Sequence, residues 1–171
     1  MDFINEVDEK MSQIEYGWVD KSETRHTDMG HFSEQYMLQT PDQLLESRLG
    51  VCWDQVELQR KLFDDSGVAT RSFFIVHYDG GKCPTHTFTI FEHDGKMFWY
   101  EHAWEIWRGL HEYANFKAAI SDIREKFIEN MLDGKYDPQN LVIYEYDAPM
   151  KNLSCLEFYK YCEKGKQIHF N

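Results

Sequence analysis

Apolar residues recur at three- and four-residue steps at Phe3, Ile4, Val7, Met11, Ile14 and Trp18, the stripe of an amphipathic helix that packs on a core. The segment from Asp20 to Ser33 is poor in aliphatic residues and contains His26, Asp28, Gly30 and His31. It reads as a loop covering another part of the fold, with solvated rather than ligating histidines. Thr40-Pro41-Asp42-Gln43 then signals a helix start: Thr40 caps, Pro41 suits the first helical position and Gln43 completes a capping box. That short helix breaks near Gly50. From Cys52 to Phe63 helical spacing resumes at Cys52, Val56, Gln59 and Phe63, and Gly67 supplies a stop. Cys52 is thereby predicted in the first turn of a helix of about four turns.

Beyond Gly67 the period changes. Ala69 to Tyr78 is rich in β-branched and aromatic residues and ends at the turn signal Asp79-Gly80-Gly81. Thr85 to Glu92 and Lys96 to Trp104 are two further strands, joined by Asp94-Gly95, which suits the positive φ angles of a tight hairpin. Phe116, Ala119, Ile120, Ile123, Phe127, Met131 and Leu132 mark a second long helix ending near Gly134; Leu141 to Tyr146 is a strand, and Leu153 to Cys162 a last helix. No repeat, low-complexity tract or long linker interrupts this order. The expected fold is α+β: a single domain, 1–171, whose central helix carries the cysteine at its N-terminus and packs on an antiparallel sheet. Its core is expected at 41–147, with helices 1–18 and 152–164 as decorations.

Composition adds limits. Apolar residues make up 42% and aromatic residues 16%, enough to bury a core in a chain of this length. Thirty acidic against 18 basic residues give a net charge of −12. That sign opposes phosphate neutralisation and an anionic membrane surface, so neither nucleic acid nor membrane is an expected partner. The N-terminus lacks a basic start and a continuous apolar stretch, which predicts a cytoplasmic location. Cysteines at 52, 83, 155 and 162 show neither metal spacing nor a dense disulfide framework. Cys155 and Cys162 fit an apolar helix face.

A cysteine at a helix N-terminus is chemically distinctive, because unpaired amides and the helix dipole favour its thiolate. Asp54 and Glu57 oppose that charge, so a cationic partner is needed. Taken alone, a cysteine beside a tryptophan, as at Cys52-Trp53, is more often a small buried hydrophobe. The hairpin supplies the partner. If Asp94 and Gly95 are the two turn residues, His93 faces Lys96, His86 lies opposite Ala103 and Glu101 opposite Phe88. His86 and Glu101 are then diagonal neighbours on one sheet face, while His102 points to the other. A loop of odd length would reverse this parity. The expected catalytic residues are Cys52 as nucleophile, His86 as base and Glu101 as the group orienting that base.

The stretch from Leu49 to Trp104 resembles the transglutaminase-like superfamily, related in its core to papain-type cysteine proteases. Gly50-Val51-Cys52-Trp53 is similar to the family's Gly-x-Cys element, and Gly67-Val68-Ala69-Thr70-Arg71 to its Gly-hydrophobic-Ala-x-Arg element. Thr85-His86-Thr87-Phe88, the Asp94-Gly95 turn and Phe98-Trp99-Tyr100-Glu101 resemble its histidine strand, turn and acid strand. The family usually has Asp as the third residue, where this chain has Glu101. His102-Ala103-Trp104 copies a string common around the family's histidine; it is set aside because Glu105 to Asn115 shows no obvious hairpin and acid strand.

The resemblance implies a cysteine hydrolase or acyltransferase acting through a thioester on a peptide, protein or small amide, with no cofactor and no metal. For a second oxyanion donor beside the helix amides, Gln39, Gln43 and Tyr36 are candidates, and Trp53, Trp99, Trp104 and Trp107 are candidates to shape the acyl pocket, with core packing the alternative. Two other classes compete: a noncatalytic peptide- or protein-binding module of the same fold, and a metal hydrolase using His77, His86, His93 and His102. The near-regular spacing of those histidines divides them between two sheet faces. Oligomeric state is not encoded in any pattern of the chain.

Overall fold

The structure, a computed structural model, describes residues 1–81, 83–149 and 151–170. Helix α1 (Asp2–Met11) is followed by a hairpin of two short strands, β1 (Trp18–Val19) and β2 (Arg25–His26), and a short helix α2 (Phe32–Gln35). Ile14 and Trp18 continue the stripe of α1 outside the helix and are buried. A spacing of four satisfies the two-residue period of extended chain as well as a helical turn, so the pattern alone could not end the helix.

Helix α3 (Pro41–Ser47) starts as the sequence predicts: the Gln43 amide donates to Thr40 Oγ1 at 3.2 Å and the Thr40 amide to Gln43 Oε1 at 2.9 Å. Helix α4 (Cys52–Asp65) is central in the literal sense. Residues Cys52 to Gln59 are all buried, because α1 and α3 cover one side and strands β3 (Thr70–His77) and β4 (Thr85–His93) the other. A one-sided stripe was therefore too narrow an expectation.

Strands β3, β4, β5 (Lys96–Glu101), β6 (Gly109–Tyr113), β7 (Leu141–Tyr146) and β8 (Lys166–Ile168) form one antiparallel sheet in the order β6-β5-β4-β3-β7-β8. The continuous run Phe73-Phe74-Ile75-Val76 occupies its middle because β3 is covered on both faces. Phe73 and Ile75 join the cluster containing Ile120, Ile123 and Phe127 of α5 (Phe116–Met131), while Phe74 and Val76 join the cluster containing Cys52 and Trp53. The edge strands β6 and β8 lack clean alternation because one side of each is unpaired, and the polarity that protects an edge erases the signal.

The ends of the chain are part of the core rather than decorations. Helix α6 (Cys155–Glu163) places Phe158 face to face with Trp53, ring centroids 4.3 Å apart, and Trp18 lies in the same cluster. Burial of both Trp53 and Phe158 requires the C-terminal helix, which a core confined to 41–147 would omit. Cys155 and Cys162 are both buried free thiols on α6. No helix among the described residues is long and apolar enough to cross a membrane.

Candidate active site

The β4–β5 hairpin turns on Asp94 (φ 50°) and Gly95 (φ 75°), the paired positive angles of a two-residue turn, and His93 pairs with Lys96. The ladder runs to Thr89–Tyr100 and the strands then separate. Alternation nevertheless carries His86 and Glu101 to one side: His86 Nε2 lies 2.7 Å from Glu101 Oε2, and both side chains are buried. Glu101 Oε1 accepts the backbone N–H groups of His102 and Trp104, each at 3.0 Å. The carboxylate is thus satisfied on both oxygens, which makes its burial tolerable.

With Nε2 on Glu101, Nδ1 is the ring nitrogen that the pair leaves over. Burial alone would lower the pKa of His86. The Glu101 charge, the influence of the Cys52 thiol and the bond to Glu101 outweigh it, and the imidazole is pushed up to about 10. Trp104 packs edge-on against the His86 ring, 4.9 Å between centroids. Cys52 is the first residue of α4, where the Cys52 and Trp53 amides have no carbonyl four residues back to bond. Its side chain is buried and borders a groove of about 710 Å³, whose walls include Tyr16, Met29, Phe32, Trp53 and Tyr159.

Asp54 caps α4 by accepting the Val51 amide at 3.0 Å, and also accepts the Gln39 amide and the Tyr36 hydroxyl at 2.9 and 2.8 Å. Burial pushes its pKa up to about 7 against those bonds. Below that pH it opposes a Cys52 thiolate less than its sequence position suggests. Burial also pushes Glu57 up to about 7, although Arg60 stands 3.0 Å away.

The raised His86 value has a sign in stability. Its folded pKa exceeds its ordinary 6.5, so its contribution is complete below about 6.5 and fades as pH climbs through about 10. Asp54 and Glu57 are largely ionised by pH 8, so the interval from about pH 8 to 10 isolates His86 from them. Urea denaturation across that interval should show falling stability in the wild type and a flatter profile in Glu101→Gln, where burial acts on His86 unopposed by the carboxylate. Parallel profiles would contradict the coupling.

Other expected groups lie elsewhere. His102 faces α4, its Nδ1 2.8 Å from Gln55 Oε1, and burial with the Arg108 charge lowers its pKa to about 4. The reason for setting it aside is corrected, since β6 does follow it as a strand paired with β5; what sets His102 apart is its bond to Gln55 and its lowered pKa. The three side chains considered for an oxyanion hole have other partners. Tyr36 donates to Asp54, Gln39 Nε2 donates to the Leu49 carbonyl at 2.8 Å, and Gln43 caps α3. Of the four tryptophans, Trp53 borders the groove and Trp104 touches His86, whereas Trp99 is core and Trp107 lies under Lys126 Nζ. His77 accepts the Asp137 amide at 3.1 Å and His93 approaches Asp94, so the four histidines have separate neighbours.

Tyr16, Met29, Phe32 and Tyr159 escaped the sequence reading. A faint signal existed for two of them: Met29 and Phe32 are large apolar residues inside the otherwise polar covering loop. Tyr16 falls between the stripe positions Ile14 and Trp18, so amphipathic spacing passes over it. Compared with models of protein families and with curated proteins, the chain matches none.

Proposed function

We propose that the chain is a thiol-dependent acyl-transfer enzyme acting on an amide or related acyl group, with a fold of the transglutaminase-like kind. The observation that carries this reading is the buried His86–Glu101 pair at 2.7 Å, with Cys52 among the groups that raise the His86 pKa. A charged, oriented imidazolium beside a thiol at a helix N-terminus supports a nucleophilic thiolate. The Cys52 sulfur attacks the carbonyl carbon, the C–N bond breaks, and His86 gives its proton to the departing amine. Water or a second amine then takes the acyl group from the thioester, with His86 as base. Glu101 holds the ring in one orientation and balances its charge.

Peptide, protein and small-amide donors all match this chemistry, and a net charge of −12 argues against nucleic acid. The four cysteines are free thiols, which suits the reducing cytoplasm. Iodoacetamide at near-neutral pH should alkylate Cys52 faster than glutathione at the same pH, with peptide mapping to assign the residue. Reaction no faster than glutathione's would favour a noncatalytic binding module and sink the enzyme reading.

A further inference from the structure

The amides at the start of α4 supply one side of an oxyanion site, and no side chain considered from the sequence supplies the other. The segment Glu15-Tyr16-Gly17 runs beside the residues that lead into Cys52. The Glu15 amide donates to the Arg48 carbonyl at 2.9 Å, the Gly50 amide to the Glu15 carbonyl at 3.0 Å, and the Gly17 amide to the Gly50 carbonyl at 3.5 Å. Gly17 makes that approach possible: a Cβ there would stand 2.5 Å from the His26 carbonyl oxygen and 2.6 Å from Leu49 Cδ1. Tyr16 is therefore held by bonded neighbours on both sides, two residues of chain away from the nucleophile's helix.

Its side chain borders the same groove as Cys52 and is 49% exposed there. The hydroxyl of Tyr36 is committed to Asp54, that of Tyr100 to Asp8 and that of Tyr159 to the Cys83 carbonyl. Among the described residues no hydrogen bond engages the Tyr16 hydroxyl. Desolvation by the surrounding protein, then the negative charge of Cys52, Asp54 and Glu101, holds its pKa well above the ordinary tyrosine value, so it stays a proton donor throughout the physiological range.

We propose that Tyr16 is a catalytic residue whose O–H, together with the Cys52 backbone N–H, donates to the oxyanion formed when the Cys52 thiolate attacks an acyl carbonyl. This rests on the acyl-transfer reading above. In the step, an electron pair on sulfur forms the S–C bond as the C=O π pair moves onto oxygen. Tyr16 and the amide bind that oxygen without transferring a proton. The π bond then re-forms as the leaving group departs with the electrons of its bond to carbon. The phenol lines the same groove as Cys52, the space an acyl group on the sulfur would occupy.

Two probes separate an oxyanion role from an effect on the thiolate itself. p-Nitrophenyl acetate acylates through a tetrahedral oxyanion, whereas iodoacetamide alkylates by displacement at a saturated carbon that develops none. Tyr16→Phe keeps the ring and its packing, and thermal melting checks that the fold is retained. Acetylation of Cys52, followed by p-nitrophenolate release and mass mapping, should slow about 30- to 300-fold in Tyr16→Phe. Alkylation by iodoacetamide should stay within about twofold of wild type. Equal losses with both probes would overturn the proposal by assigning Tyr16 to the thiolate, and an unchanged acetylation rate would overturn it outright. A wild-type protein that alkylates but is not acetylated at Cys52 would remove the acyl-transfer reading and this proposal together; the other two outcomes remove the proposal alone.

Discussion

His86→Ala should slow acylation of Cys52 by p-nitrophenyl acetate about 10³- to 10⁴-fold, the loss typical when a triad member is removed. Two effects combine. The imidazolium that supports the thiolate disappears, and Glu101 remains buried with only the His102 and Trp104 amides as partners. Glu101→Gln should fall between this variant and wild type, because an amide oxygen still accepts the two backbone N–H groups while its side chain no longer balances an imidazolium. His102→Ala should lose under tenfold, since its ring is bonded to Gln55 and not to Glu101. Single-turnover acylation rates at constant pH, with melting curves for each variant, check the ranking. A His102→Ala loss as deep as that of His86→Ala would reverse the assignment of the base.

Trp53→Ala should cost about 3–5 kcal/mol of stability, the range for truncating a large aromatic residue in a core. Trp53 is 3% exposed. Besides its stacked contact with Phe158, its ring meets Phe32 at 5.3 Å, Tyr36 at 5.4 Å and Tyr159 at 5.6 Å. No one of those rings can fill the space without leaving the others, so the cavity persists. The urea midpoint should drop and Tm fall by about 6–20 °C for a chain of this size. Trp53→Phe should recover more than half of the loss. A destabilisation below about 1 kcal/mol would mean that the groove wall collapses freely.

What could be read before the structure follows from where the information is local. The start of α3, the first residue of α4 and the Asp94-Gly95 turn are each specified by a few adjacent side chains, and all three appear as expected. The turn then dictated parity, and parity brought His86 and Glu101 together across 15 residues. Tyr16 was invisible for the opposite reason: its place beside Cys52 comes from backbone bonds between 15–17 and 48–50, which no side-chain pattern encodes. Strands β6 and β8 were missed because edge strands are half solvated. The full burial of α4 was missed because Asp54, Gln55, Glu57 and Gln59 look like a solvent face, and the first two instead have hydrogen-bond partners from loops and strands distant in sequence.

The seating of Phe158 on Trp53 orders events during synthesis. Cys52, His86 and Glu101 emerge from the ribosome well before α6, yet one wall of the groove, including Cys155 and Tyr159, arrives only with that helix. Until then Trp53 lacks its stacking partner, and the neighbourhood of Cys52 is open to water. A nascent chain can therefore hold these three side chains before the groove that Cys52 borders is complete.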